Sequence, residues 1–217
     1  MYQREKKLLK VLHGFTDKVI TMRKEELLKK YSDNPQENEF DGKKKLPLLD
    51  LLLEVRIEGV QLSDSDIREE VDTFMFGGHD TTTSGSSFVL YCLAKYPEFQ
   101  QKVFEEIEDI FGSDQSHTVS MQELNKLSYL DLVIKESLRI YPSIPYIGRV
   151  LSEELTAGGY TFPKNSNIMI SSYLMGRDST IFPDPLKFDP LRFDVETTRE
   201  KINSFAYIPF SAGEGKI

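Results

Sequence analysis

The chain has 217 residues, 39% of them hydrophobic and 11% aromatic, with a formal net charge of −8. That is enough apolar material to bury a core, and the acidic balance argues against a nucleic-acid partner or an anionic membrane face. The single cysteine, Cys92, excludes an intrachain disulfide and any multi-cysteine zinc site.

The opening Met1-Tyr2-Gln3-Arg4-Glu5-Lys6-Lys7 is not a signal peptide. No later stretch reaches the ~20 apolar residues of a membrane helix, so no anchor is expected in this chain. Leu8, Leu12, Phe15, Val19 and Met22 recur at helical spacing with charged residues between them, which predicts an amphipathic helix buried along that stripe. Tyr31 to Lys45 is polar, with turn signals at Asp33-Asn34-Pro35 and Asp41-Gly42, and reads as a surface linker. A short helix from Leu48 to Val55 follows, with Gly59 in the turn beyond it.

Ser63, with Asp66 three residues on, is a natural N-cap for the next helix, whose pattern runs to Tyr96 and stops at Pro97. At roughly 63–96 it far exceeds the common ~11–12 residues. Its segment Phe74-Met75-Phe76 is apolar on every side, which predicts a buried middle. Pro97 opens a helix striped by Phe99, Val103, Ile107 and Ile110 and ended by Gly112. Ser120 to Asn125 is a helical turn, and Leu127 to Tyr141 is a helix stopped by Pro142. Beyond it, Tyr160-Thr161-Phe162, the turn Pro163-Lys164-Asn165 and Ile168-Met169-Ile170 read as a small sheet, and the segment from Pro183 is loop-rich. The fold class expected is mainly α with a small β region.

The chemistry lies in Gly77-Gly78-His79-Asp80-Thr81-Thr82-Thr83, at the middle of the long helix. Two glycines there cost roughly 1 kcal/mol each relative to alanine. The threonine hydroxyls can bond back to the i−4 carbonyls, and a buried acid needs partners. A kinked structural helix with a satisfied polar patch explains the segment as well as a site that moves protons beside a flat ligand. Glu136 and Arg139, at i and i+3, can pair on one helix face, although such pairs are usually solvated.

These segments, with Pro142-Ser143-Ile144-Pro145, Arg149, Phe188-Asp189-Pro190-Leu191-Arg192-Phe193 and Tyr207-Ile208-Pro209-Phe210-Ser211-Ala212-Gly213, resemble the cytochrome P-450 superfamily in order along nearly the whole chain. The wording Glu70-Val71-Asp72-Thr73-Phe74-Met75-Phe76 is most similar to the family-4 branch, whose members typically hydroxylate fatty acids. The resemblance implies one partial domain over 1–217, with a helical part over 1–141 and a small sheet, meander and start of a heme-binding loop over 142–217. The cofactor implied is heme, with Gly77 and Gly78 leaving room for oxygen, Arg149 pairing with a propionate, and Phe210 opening the heme loop. Asp80 and Thr81 would relay protons as the catalytic pair. Glu136, Arg139 and Arg192 would form a buried ion network behind the heme. For the full-length enzyme it implies an NADPH-cytochrome reductase partner, a hydrophobic small-molecule substrate, and the cytosolic face of the endoplasmic reticulum membrane. Neither nucleic acid nor an oligomer is implied.

Two departures stand out. Gly77 occupies the position of a glutamate that links heme covalently in many family-4 members, so no such link is expected. The slot for the loop arginine falls on Gly215 and the slot for the ligand cysteine on Ile217, so no protein ligand to the metal is expected and the chain as written should be inactive. Codons for Gly213-Glu214 can spell a splice-donor signal, so Glu214-Gly215-Lys216-Ile217 is expected to be read-through in the gene model. Two rivals compete with this reading. One is a helical interaction fragment without a cofactor. The other is a metal phosphohydrolase built on His79-Asp80, which would need further ligands where only His13 and His117 remain.

Overall fold

The computed structural model describes residues 2–33, 46–57, 59–112, 118–194 and 202–212. His117, Gly213, and the slots at Gly215 and Ile217 therefore lie outside the described residues. The described architecture is mainly helical with three small antiparallel two-stranded sheets. It divides into two compact units, residues 1–80 and 81–217.

The first unit holds α1 (Tyr2–Asp33), α2 (Leu48–Glu54), the hairpin β1 (Arg56–Ile57) and β2 (Val60–Gln61), and the first half of α3 (Asp64–Lys95). Ser63 and Asp66 cap α3 reciprocally: the Asp66 amide donates to Ser63 Oγ at 3.2 Å and the Ser63 amide to Asp66 Oδ2 at 3.1 Å. The hydrophobic centre of this unit is Ile20, Leu27, Leu53 and Ile67.

The stripe expected on α1 is not its buried face. Leu8, Leu12, Phe15 and Met22 are exposed, while Thr16, Ile20 and Leu27 are buried. The reason is that polar contacts select the inward face. Thr16 Oγ1 donates to Asp72 Oδ1 at 2.5 Å, Arg68 donates to Asp17 at 3.1 Å, and Arg23 grips both carboxylate oxygens of Asp50 at 2.6 and 2.7 Å. Apolar periodicity cannot see a face chosen by such partners. Phe74, Met75 and Phe76 also depart from expectation, at 58%, 44% and 75% exposed. Apolarity on every side states a need for cover but supplies none, and this half of α3 turns only Ile67 and Val71 to the core.

The second unit begins with the rest of α3 and continues through α4 (Pro97–Phe111), α5 (Met121–Leu124) and α6 (Ser128–Ile140). Cys92, Val133, Ile140 and Phe188 centre its core, so Cys92 behaves as a small buried hydrophobe. Glu106 of α4 accepts from the amides of Tyr129 and Leu130 at 2.7 and 2.9 Å, satisfying the bare N-terminus of α6. After α6, β3 (Tyr146–Val150) pairs with β6 (Asn167–Ser171), placing Arg149 opposite Ile168. Between them β4 (Leu155–Ala157) and β5 (Tyr160–Phe162) form a hairpin whose turn is Gly158-Gly159. Both turn glycines have positive φ, +58° and +81°, which suits the twist of a two-residue hairpin. The short α7 (Ser172–Met175) and a 3-10 turn over Pro190–Phe193 complete the order. Among the described residues no helix is long and apolar enough to cross a membrane.

Candidate functional site

The last turns of α6 are buried, and the chain places a carboxylate and a guanidinium there. Glu136 is 0% and Arg139 2% exposed. Their i, i+3 spacing sets the two groups edge to edge, with Arg139 Nε and Nη2 donating to Glu136 at 2.7 and 2.8 Å. The remaining capacity is filled by backbone. Glu136 Oε1 accepts from the Asp189 amide at 2.8 Å, and Arg139 donates to the carbonyls of Gly176, Pro185 (2.8 Å) and Lys187 (3.2 Å). Arg192 comes from the 3-10 turn, its Nε 3.5 Å from Glu136 Oε1 and its other nitrogens on the carbonyls of Pro183 and Asp184. Three charged side chains thus bind the segment 176–192 to α6. Gly176 is required by the closeness of this approach, since a Cβ there would strike the Arg139 carbonyl.

Beside this network lies a cavity of about 490 Å³. Its α3 wall is the helical row Thr81, Gly85, Val89 and Leu93, its α6 wall is Leu130, Ile134 and Leu138, and Ser143 and Phe210 complete it. Gly85 keeps the wall close, because a Cβ there would lie 3.0 Å from Ser143 Oγ. The i, i+4 recurrence from Thr81 to Leu93 was present in the sequence and could have found this wall. It was hidden by the glycine and threonine in a row otherwise apolar.

Of the residues in the motifs singled out from sequence, Thr81, Thr82, Ser143 and Phe210 line this cavity. Asp80, one residue before Thr81, is exposed. Gly77 and Gly78 are exposed too, and an added Cβ at either would meet open space. Arg149 is exposed on β3 and reaches the loop that carries Phe210, donating from Nη2 to Ser211 Oγ at 3.2 Å. Sequence reasoning named Arg149 but missed Ser211 as its partner. That loop is anchored in turn by Tyr207, whose hydroxyl donates to the Lys135 carbonyl at 3.0 Å and whose ring lies 4.6 Å from that of Phe193. Burial pushes the Tyr207 phenol well up, so it stays a neutral donor.

A porphyrin needs an apolar slot, a cation for its acid arms and an axial donor. The cavity supplies the first, with leucine, isoleucine and valine walls and threonine hydroxyls at one edge. Arg149, bonded beside Phe210, suits the second. The one thiol among the described residues does not suit the third. Cys92 is fully buried with Val133 and Phe188, and burial pushes its thiol up, away from the thiolate a metal takes. The described residues therefore fit the macrocycle and its carboxylates but do not supply the axial sulfur. Among the described residues no group of three or more candidate metal ligands occurs, and His117 lies outside them.

The family model for cytochrome P450 matches residues 1–215. Similar curated proteins include cytochrome P450 4d1 of Drosophila melanogaster, 49% identical over 96% of this chain and 41% of its own length. Probable cytochrome P450 4d20 of the same fly is 47% identical over 94% of this chain and 41% of its own length. Cytochrome P450 4c21 of Blattella germanica is 43% identical, over 98% and 42% respectively. The chain thus spans about two fifths of the length of these relatives.

Proposed function

The chain belongs to the cytochrome P450 family, and from that premise we propose that it forms part of a monooxygenase that hydroxylates a hydrophobic substrate such as a fatty acid. The observation that carries this reading is the 490 Å³ apolar cavity with Thr81 at its edge and Arg149 tied beside Phe210. Heme, when bound, supplies the oxygen chemistry, with electrons from a reductase. The residues named here do the rest. Leu130, Ile134 and Leu138 exclude water, Arg149 holds an anionic arm, and Asp80 and Thr81 hold and pass a proton at the middle of α3. The Glu136–Arg139–Arg192 network holds the wall in place from behind. The same reading puts the working enzyme on the endoplasmic reticulum membrane beside an NADPH-dependent reductase. A helical interaction module without a cofactor is the second reading, favoured by the exposed Phe74, Met75 and Phe76.

Titration of the chain with hemin, followed by absorbance, separates the two. Saturable binding is expected, weakened at least tenfold by Ile134→Glu, which puts a charge on the cavity wall. Binding that is absent, or indifferent to Ile134→Glu, would favour the interaction module.

A further inference from the structure

Arg149 and Ser211 are 62 residues apart and joined by one hydrogen bond, Arg149 Nη2 to Ser211 Oγ at 3.2 Å. Arg149 Nη1 donates to the adjacent Gly148 carbonyl at 2.8 Å. Two of its donors are thereby fixed, one on its own strand and one on the loop, and two fixed points set the plane of a rigid guanidinium. Without the Ser211 bond, an exposed arginine on a five-residue strand would sample many rotamers.

Ser211 occupies an unusual backbone. Its φ is +69°, in the left-handed region where a non-glycine residue is strained. Its amide donates to the Ile208 carbonyl at 3.1 Å, closing the turn that presents Phe210 to the cavity. Glycine would adopt this conformation at no steric cost. A serine here bears a cost, and among the described residues its hydroxyl meets Arg149.

Resting on the heme reading above, we propose that Ser211 is a positioning residue that aims the Arg149 guanidinium at the carboxylate arm of the cofactor. Its hydroxyl accepts from one edge of the fork, leaving other N–H groups to face the anion. Ser211 touches the cofactor only through Arg149.

Hemin and hemin dimethyl ester are the probes, because the ester removes the anionic arms and keeps the macrocycle. Affinities are read by absorbance titration of the wild-type chain and of Ser211→Ala, Ser211→Gly, Ser211→Asn and Arg149→Ala, each checked for native helicity by circular dichroism. The wild type should favour hemin over the ester about tenfold, the worth of one charge-assisted contact. Arg149→Ala should abolish that preference, and Ser211→Ala and Ser211→Gly should remove most of it without weakening ester binding. Asparagine tolerates left-handed φ and carries an acceptor oxygen, so Ser211→Asn should retain much of the preference. If Ser211→Gly keeps the full preference while Arg149→Ala loses it, Ser211 does not position Arg149 and the proposal fails with the heme reading intact. Failure of the wild type to bind hemin would overturn the heme reading, and this proposal with it. If the ester and acid bind equally to the wild type, the proposal falls while heme binding stands.

Discussion

Glu136 shows how much of a site can be written in one residue type and how much cannot. Its spacing from Arg139 makes the pair legible, because i, i+3 neighbours on a helix always meet. Spacing does not say whether the pair faces solvent or core. That is decided by the carbonyls of Gly176, Pro185 and Lys187, which belong to irregular backbone with no periodicity to read. The distinction has an energetic consequence. Glu136→Ala leaves the Arg139 guanidinium buried with its carboxylate gone and also strands the Asp189 amide. Loss of one partner from such a cluster costs about 3–5 kcal/mol. Glu105→Ala removes a carboxylate on the exposed face of α4, where Gln101 donates to it at 3.0 Å, and should change stability by less than about 0.5 kcal/mol. Urea unfolding of both variants checks the contrast, and equal midpoints would show that Glu136 carries no such burden.

At the scale of elements, legibility followed the source of the stabilisation. The α3 boundary was readable because Ser63, Asp66 and Pro97 are local signals. The inward face of α1 was not, because Asp72 of α3 and Asp50 of α2 choose it from afar. The pairing of β1 with β2, only two residues each, is shorter than any pattern can declare. The Arg23–Asp50 pair makes the α1–α2 contact depend on pH. Its hydrogen bonds from Arg23 hold the Asp50 carboxyl below the usual carboxylate range. A carboxylate depressed in the folded state adds stability above its unfolded value of ~3.9. That contribution disappears as pH falls through the lower folded value. At pH 6, Asp50→Asn should cost about 1.5 kcal/mol, the lower end for a bond to a charged group, since Arg23 is partly exposed. As pH falls toward that lower folded value the gap between wild type and variant should narrow. Unfolding midpoints for the two chains at pH 6, 4 and 3 give the test, and a gap that widens on acidification contradicts the assignment.

For the whole molecule, the family was legible because several short motifs stand in order, although each alone is common. The cavity was less so, because its walls come from α3, α6 and a loop more than a hundred residues beyond α3, and no local pattern joins them. Cys92 sets the limit on the chemistry this chain can show. Heme in the cavity would have to take sulfur from the only thiol in the sequence. That thiol lies eleven residues past Thr81, about 16 Å along the axis of α3. It sits at 0% exposure in the core cluster with Val133 and Ile140, and burial holds it protonated. Its neighbour Leu93 lines the cavity, so the barrier is packing rather than distance: the thiol would have to turn out of that core. Hemin bound to this chain, reduced and exposed to carbon monoxide, should therefore give a histidine-type or ligand-poor Soret band and no thiolate-type band. Cys92→Ala should leave that spectrum unchanged. A thiolate-type band that disappears in Cys92→Ala would show that the core opens to the cavity.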